Sequence, residues 1–239
     1  MSRFETNDPP ERRRLEELGV VLQTGEEVIA QDTYPLRKES KVYEDKSPGA
    51  LERHLAVERS VISIDDVDLV AREVAIIDGT PRFMRESFYT HGQKGKVNEK
   101  ARTIQFTDGT VQVIAVERDE GGKALQIVSK AKGPGEATFR TNQKVVSRYD
   151  DDTGQRVRYE KTFYDLAGIK VRGERWERLS GGTVQHVLSY HVGAGKYEER
   201  ESDATEHEAV LVLDAPNQIG HAQPIPTLAR EHLKPFTFE

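Results

Sequence analysis

The sequence predicts a mainly all-β protein. It reads as an antiparallel up-and-down meander of about nine or ten strands, closed or strongly curved into a barrel. Two short N-terminal helices precede the meander, and an irregular, proline-containing C-terminal tail follows it. Three observations carry this reading. From about residue 60, apolar and polar residues alternate with the period of half-buried strands. Turn-forming pairs and triplets interrupt the alternation at regular intervals. The intervals are too short for the crossovers of roughly a dozen residues that parallel strands require.

Residues 1–59 differ from the rest. Asn7 or Asp8 is placed to cap a helix over 11–18 whose entry holds Pro9 and Pro10 and whose end is Gly19. Leu15 and Leu18 give that helix one apolar stripe, with Arg12, Arg13 and Arg14 on its solvent side. Residues 20–22 and 28–30 are spaced for a short hairpin around Thr24-Gly25. Ser47-Pro48 marks a second helix start, with Leu51, Leu55 and Val57 as the buried face.

The meander domain is expected over 60–214. Its turns are Asp78-Gly79, Asp108-Gly109, Gly121-Gly122, Gly133-Pro134-Gly135, Asp152-Thr153-Gly154, Ala167-Gly168, Gly181-Gly182 and Gly193-Ala194-Gly195. The clearest strand, 156–164, sets Val157, Tyr159 and Phe163 on one face and Arg156, Arg158 and Glu160 on the other. In the next strand Trp176 falls on the charged parity, and a bulge at Gly173 would return the indole to the apolar side. The segment VISIDDVDLV fits either strand–turn–strand or a strand feeding a helix. So many sequential hairpins approach the limit at which an open sheet curls, and closure would remove its edges. Residues 215–239 hold Pro216, Pro224, Pro226 and Pro235 among several apolar side chains, a composition suited to docking on this chain or on a partner.

Composition narrows the functions. The 239 residues carry 35 Lys and Arg against 41 Asp and Glu, a net charge of −6, which disfavours nucleic-acid and anionic-membrane partners. Charged residues make up 32% and hydrophobic residues 36%, against about 25% and 45–50% in average domains, so a thin core and a wet surface are expected. The absence of cysteine removes disulfides, thiolate metal sites and thiol nucleophiles together. No secretory leader or membrane-spanning run is recognisable, and a soluble cytoplasmic protein is the expectation.

Several motifs come close and fail. Leu179-Ser180-Gly181-Gly182 and Gly193-Ala194-Gly195-Lys196 echo nucleotide-binding loops, but the second lacks the first glycine and the closing hydroxyl, and both read better as turns. Asp150-Asp151-Asp152 lacks the later glycine and glutamate of a calcium loop. His186 and His191, five apart on a strand, fall on opposite faces and cannot share a metal. Lys94, Lys96, Lys100 and Arg102 have no interleaved aromatics and read as solvated charge. No cofactor, metal or catalytic motif is assigned.

One constellation remains. Tyr159, Phe163, Trp176, His186 and Tyr190 are expected to line one interior, as a ligand-binding set of apolar walls with polar tips. The strand rhythm resembles that of lipocalins, fatty-acid-binding proteins and other calycins, although the glycine–tryptophan motif of their first strand is absent and Trp176 is the sole tryptophan. The primary functional expectation is a non-catalytic protein holding a small, mostly apolar ligand inside a barrel. The alternatives are a structural protein that assembles, as a homo-oligomer or with another partner, through its sheet and residues 215–239, and a cofactor-independent isomerase, cyclase or hydratase using His186 as acid and base.

Overall fold

The structure is a computed structural model that describes residues 8–44, 54–77, 79–92, 95–191 and 197–201. The C-terminal tail, the Gly193-Ala194-Gly195 turn and the Ser47-Pro48 segment lie outside these residues.

An eight-residue helix, α1 (Pro10–Glu17), opens the chain with Pro9 as its cap residue and no side-chain cap. Asp8 therefore does not fill the capping role, and Asn7 lies outside the described residues. Leu15 and Leu18 are buried as their spacing predicts, while Arg12, Arg13 and Arg14, before them in the helix, face solvent. The predicted 20–22/28–30 hairpin does not form. Instead β1 (Glu27–Val28) pairs with Thr90 and His91, and the Ile29 N–H donates to the Tyr89 carbonyl at 3.0 Å. The neighbouring strand reaches only Glu86, so the backbone groups beyond it are satisfied by β1 rather than by a local hairpin.

A 3-10 turn (Gln31–Thr33) leads into the meander: β2 (Leu36–Glu44), β3 (His54–Ile64), β4 (Val67–Ile77), β5 (Thr80–His91), β6 (Val97–Phe106), β7 (Val111–Arg118), β8 (Ala124–Lys132), β9 (Arg140–Tyr149), β10 (Arg156–Tyr164), β11 (Lys170–Arg178), β12 (Val184–His191) and β13 (Tyr197–Glu201). The thirteen strands form one antiparallel sheet in which β2 to β13 follow sequence order and β1 joins β5. Among the described residues, hydrogen bonds do not close this order into a barrel. Leu55 and Val57, expected on a second helix, lie in β3, where Val57 is buried and Glu58 exposed. The β-branched, alternating run VERSVISI favours a strand over the proline-initiated helix.

Four of the turns share one chemistry. At Phe106, Asp119, Asp165 and Leu179, the residue's N–H donates to the carbonyl four positions on. A glycine in positive φ three positions on returns its N–H to the first carbonyl. This is the three-residue hairpin with a glycine bulge. The ambiguous 61–70 segment is strand–turn–strand. Asp65 and Asp66 take φ of 49° and 62°, a tight turn that short polar side chains tolerate.

The chain divides into two compact units, with the boundary inside β7 after Val113. In the first, Ile29, Ile62, Ile64, Leu69, Ala71 and Tyr89 form a core cluster flanked by Tyr34 and Val97. The second is thinner. Val116, Ala124, Val145, Trp176 and Val187 are its buried hydrophobic side chains among the described residues.

Candidate functional site

Strand register places the five predicted site residues on one face of β10–β12. Tyr159 is opposite Trp176, and Trp176 is opposite His186, so these three form a row across three strands. Four residues along, about 13 Å at ~3.3 Å per residue, Phe163 and Tyr190 flank Arg172 in a second row.

The predicted bulge at Gly173 is not there. Both ladders run through Gly173 in unbroken register, and the irregularity lies at Val171, opposite the Phe163/Tyr164 step. Trp176 therefore keeps the parity of Arg172 and Glu174, and the aromatic face is charged rather than dry. Gly173 itself is required by the other face, where a Cβ would collide with Ser189 Oγ.

The first row is tightly built. The Trp176 and His186 rings stack with centroids 3.5 Å apart and planes within 1°. The Trp176 indole N–H donates to Glu174 Oε1 at 3.3 Å, and His186 Nε2 lies 3.4 Å from the same oxygen. Trp176 is only 4% exposed. Tyr159 is half-buried, and burial, reinforced by the Glu174 charge, pushes its phenol above the usual range.

The middle row joins Lys161, Glu174 and Leu188. Burial holds the Lys161 amine below its usual range, with Arg172 adding to the effect and Glu174 opposing it. Lys161 Nζ sits 5.0 Å from the centre of the Phe163 ring, and the Arg172 guanidinium 5.6 Å from the same ring. Arg156 likewise lies near the Tyr149 and Tyr159 rings, at 5.5 and 5.9 Å. Exposure rises along the strands: His186 and Trp176 are enclosed, whereas Arg172 and Tyr190 reach solvent. The face thus has an aromatic floor and a cationic, open rim.

The Asp150 tip is a turn device. Asp150 Oδ1 accepts from the Thr153 N–H at 2.7 Å and from its hydroxyl at 2.8 Å, and these bonds hold the Asp150 carboxyl below its usual range.

Sequence reasoning missed a second cluster, in the first unit. Lys100 and Arg102, read as solvated charge, are buried in β6. Lys100 Nζ pairs with Glu26 at 2.6 Å, and Arg102 Nη2 with Glu99 at 2.6 Å. Arg59, Glu73 and Arg85 are cross-strand neighbours on β3, β4 and β5, and Arg59 Nε meets Glu73 Oε2 at 2.7 Å. The one available signal is parity, because Glu73 alternates with Ala71 and Ala75 on the buried face of β4. No family model matches the chain, and no match is found among curated proteins.

Proposed function

We propose that this chain is a non-catalytic binding protein whose β10–β12 face receives a small ligand, flat and apolar over most of its area and carrying a negative group. The observation that supports this most directly is the pairing of an aromatic floor with surplus positive charge. Lys161 and Arg172 stand against Glu174, while Arg200 and Glu198 on β13 pair with each other at 2.8 Å. Glu174 is already engaged by the Trp176 indole, so an incoming anion meets guanidinium and ammonium first. The face belongs to an open sheet, which replaces the barrel interior as the site of binding. His186 supports binding over turnover, because its ring is committed to the Trp176 stack and its Nε2 is turned to Glu174.

The test compares anilinonaphthalene sulfonate with the neutral N-phenylnaphthylamine, read by probe emission and by Trp176 quenching. The sulfonate should bind saturably and at least tenfold tighter. Arg172→Ala should weaken it about fivefold, the equivalent of an exposed ion pair of about 1 kcal/mol. Equal binding of both probes, or Trp176 emission untouched at saturation, refutes the proposal.

A second reading, assembly through the sheet, is favoured by the apolar β10–β11 hairpin, where Leu166, Ile169 and Val171 are 55%, 45% and 36% exposed. Native mass decides it: a defined oligomer lost on Ile169→Lys supports assembly, and a monomer excludes it.

A further inference from the structure

We propose that Arg85 anchors a binding site for a protonated oxyanion of the phosphate type, on the β3–β6 face of the first unit. This site is separate from the β10–β12 face, and neither proposal depends on the other.

The charge balance comes first. Arg59, Arg85 and Arg102 oppose Glu73 and Glu99, and all five side chains are 11% exposed or less. Three cations against two anions leave one positive charge in excess among these five buried groups, since Glu39, opposite Arg59 on β2, is partly exposed and already paired with Arg37 at 2.9 Å. A buried ion that is only loosely paired keeps much of a desolvation cost of several kcal/mol.

Geometry identifies Arg85 as the most loosely paired of the three arginines. Glu73 Oε2 is taken by Arg59 at 2.7 Å and Glu99 Oε2 by Arg102 at 2.6 Å. Arg85 Nε donates to Ser87 Oγ at 3.2 Å, and its Nη2 approaches Glu99 Oε1 only to 3.8 Å, beyond hydrogen-bond range. Burial, with the Arg102 charge second, holds the Arg85 guanidinium below its usual range despite the opposing pull of Glu99 and Glu73.

The acceptors then restrict the ligand. Glu73 Oε1 and Glu99 Oε1 are buried and accept no hydrogen bond among the described residues. Each such acceptor costs about 1–3 kcal/mol. A fully deprotonated anion would neutralise Arg85 but repel these oxygens. Water would satisfy the oxygens and leave the charge. An oxyanion that keeps an O–H does both, accepting from Arg85 and donating to a carboxylate. Dihydrogen phosphate has this chemistry, and sulfate at neutral pH does not.

The experiment uses the full chain with inorganic phosphate and sulfate at matched ionic strength, read by phosphorus NMR line width and by thermal shift. Phosphate should bind at least tenfold more tightly than sulfate, and more tightly at pH 6 than at pH 8. Arg85→Gln should weaken phosphate at least tenfold. Arg85→Lys, which keeps the charge, should weaken it severalfold and serves if the glutamine variant does not fold. Glu73→Gln, which adds a donor, should narrow the preference over sulfate. No phosphate line broadening, equal stabilisation by both ions, or phosphate binding unchanged in a folded Arg85 variant overturns the site.

Discussion

Removing the Glu73 carboxylate should cost this protein more than any exposed charge in it. Glu73 is 1% exposed, its partner Arg59 is 11% exposed, and they meet at 2.7 Å. At an effective dielectric of about 20, unit charges ~4 Å apart attract by about 4 kcal/mol. Glu73→Ala forfeits that attraction and strands Arg59 beside Arg85, its neighbour across β4. A loss of about 3–5 kcal/mol follows, as for other broken buried pairs. Replacing both partners, in Arg59→Met/Glu73→Leu, removes the desolvation penalty along with the attraction and should restore most of the loss. Urea titration followed by far-UV circular dichroism measures all three proteins, with the slope checked for a two-state transition. Glu73→Ala costing under about 1 kcal/mol would show that water screens the pair. A double variant as unstable as the single would show that the ion-pair accounting is wrong.

Three further outcomes follow from the geometry. Gly173→Ala drives a Cβ into Ser189 Oγ and should cost about 1–3 kcal/mol by overpacking, and adding Ser189→Ala should recover most of it in the same titration. Lys161 binds its proton less tightly folded than unfolded, so its contribution to stability is unfavourable at neutral pH and improves as pH rises from its lowered folded pKa to its unfolded value near 10.4. Lys161→Met should therefore leave stability at pH 7 unchanged or higher and flatten the alkaline limb, and clear destabilisation at pH 7 would contradict this. Asp66→Gly, at φ 62°, should raise stability by up to about 1 kcal/mol, measured as a higher melting temperature.

Local chemistry made the strands and turns legible. Asp108-Gly109, Ala167-Gly168 and Gly181-Gly182 each supply the positive φ a hairpin demands, and that requirement acts within a few residues. The alternation of 156–164 placed Tyr159 and Phe163 on one face for the same reason, since side-chain direction depends only on backbone parity. The shared face of Tyr159, Trp176 and His186 was legible too, but the route to it was not. Alternation alone puts Trp176 on the parity of Arg172 and Glu174, and charge by itself would assign that side to solvent. They line the aromatic face with it, and Gly173 serves the packing of Ser189.

Tight turns and period-two alternation are local, so the order and direction of the hairpins can be read from the residues alone. Tertiary structure alone decided three things. β1 paired with β5 because that strand outruns β4. Among the described residues the ends of the sheet are not joined by hydrogen bonds, an outcome of twist and register summed over many strands. Lys100, Arg102 and Glu73 became buried partners because a charge's cost depends on which neighbours exclude water from it, and those neighbours lie on other strands or far along the chain.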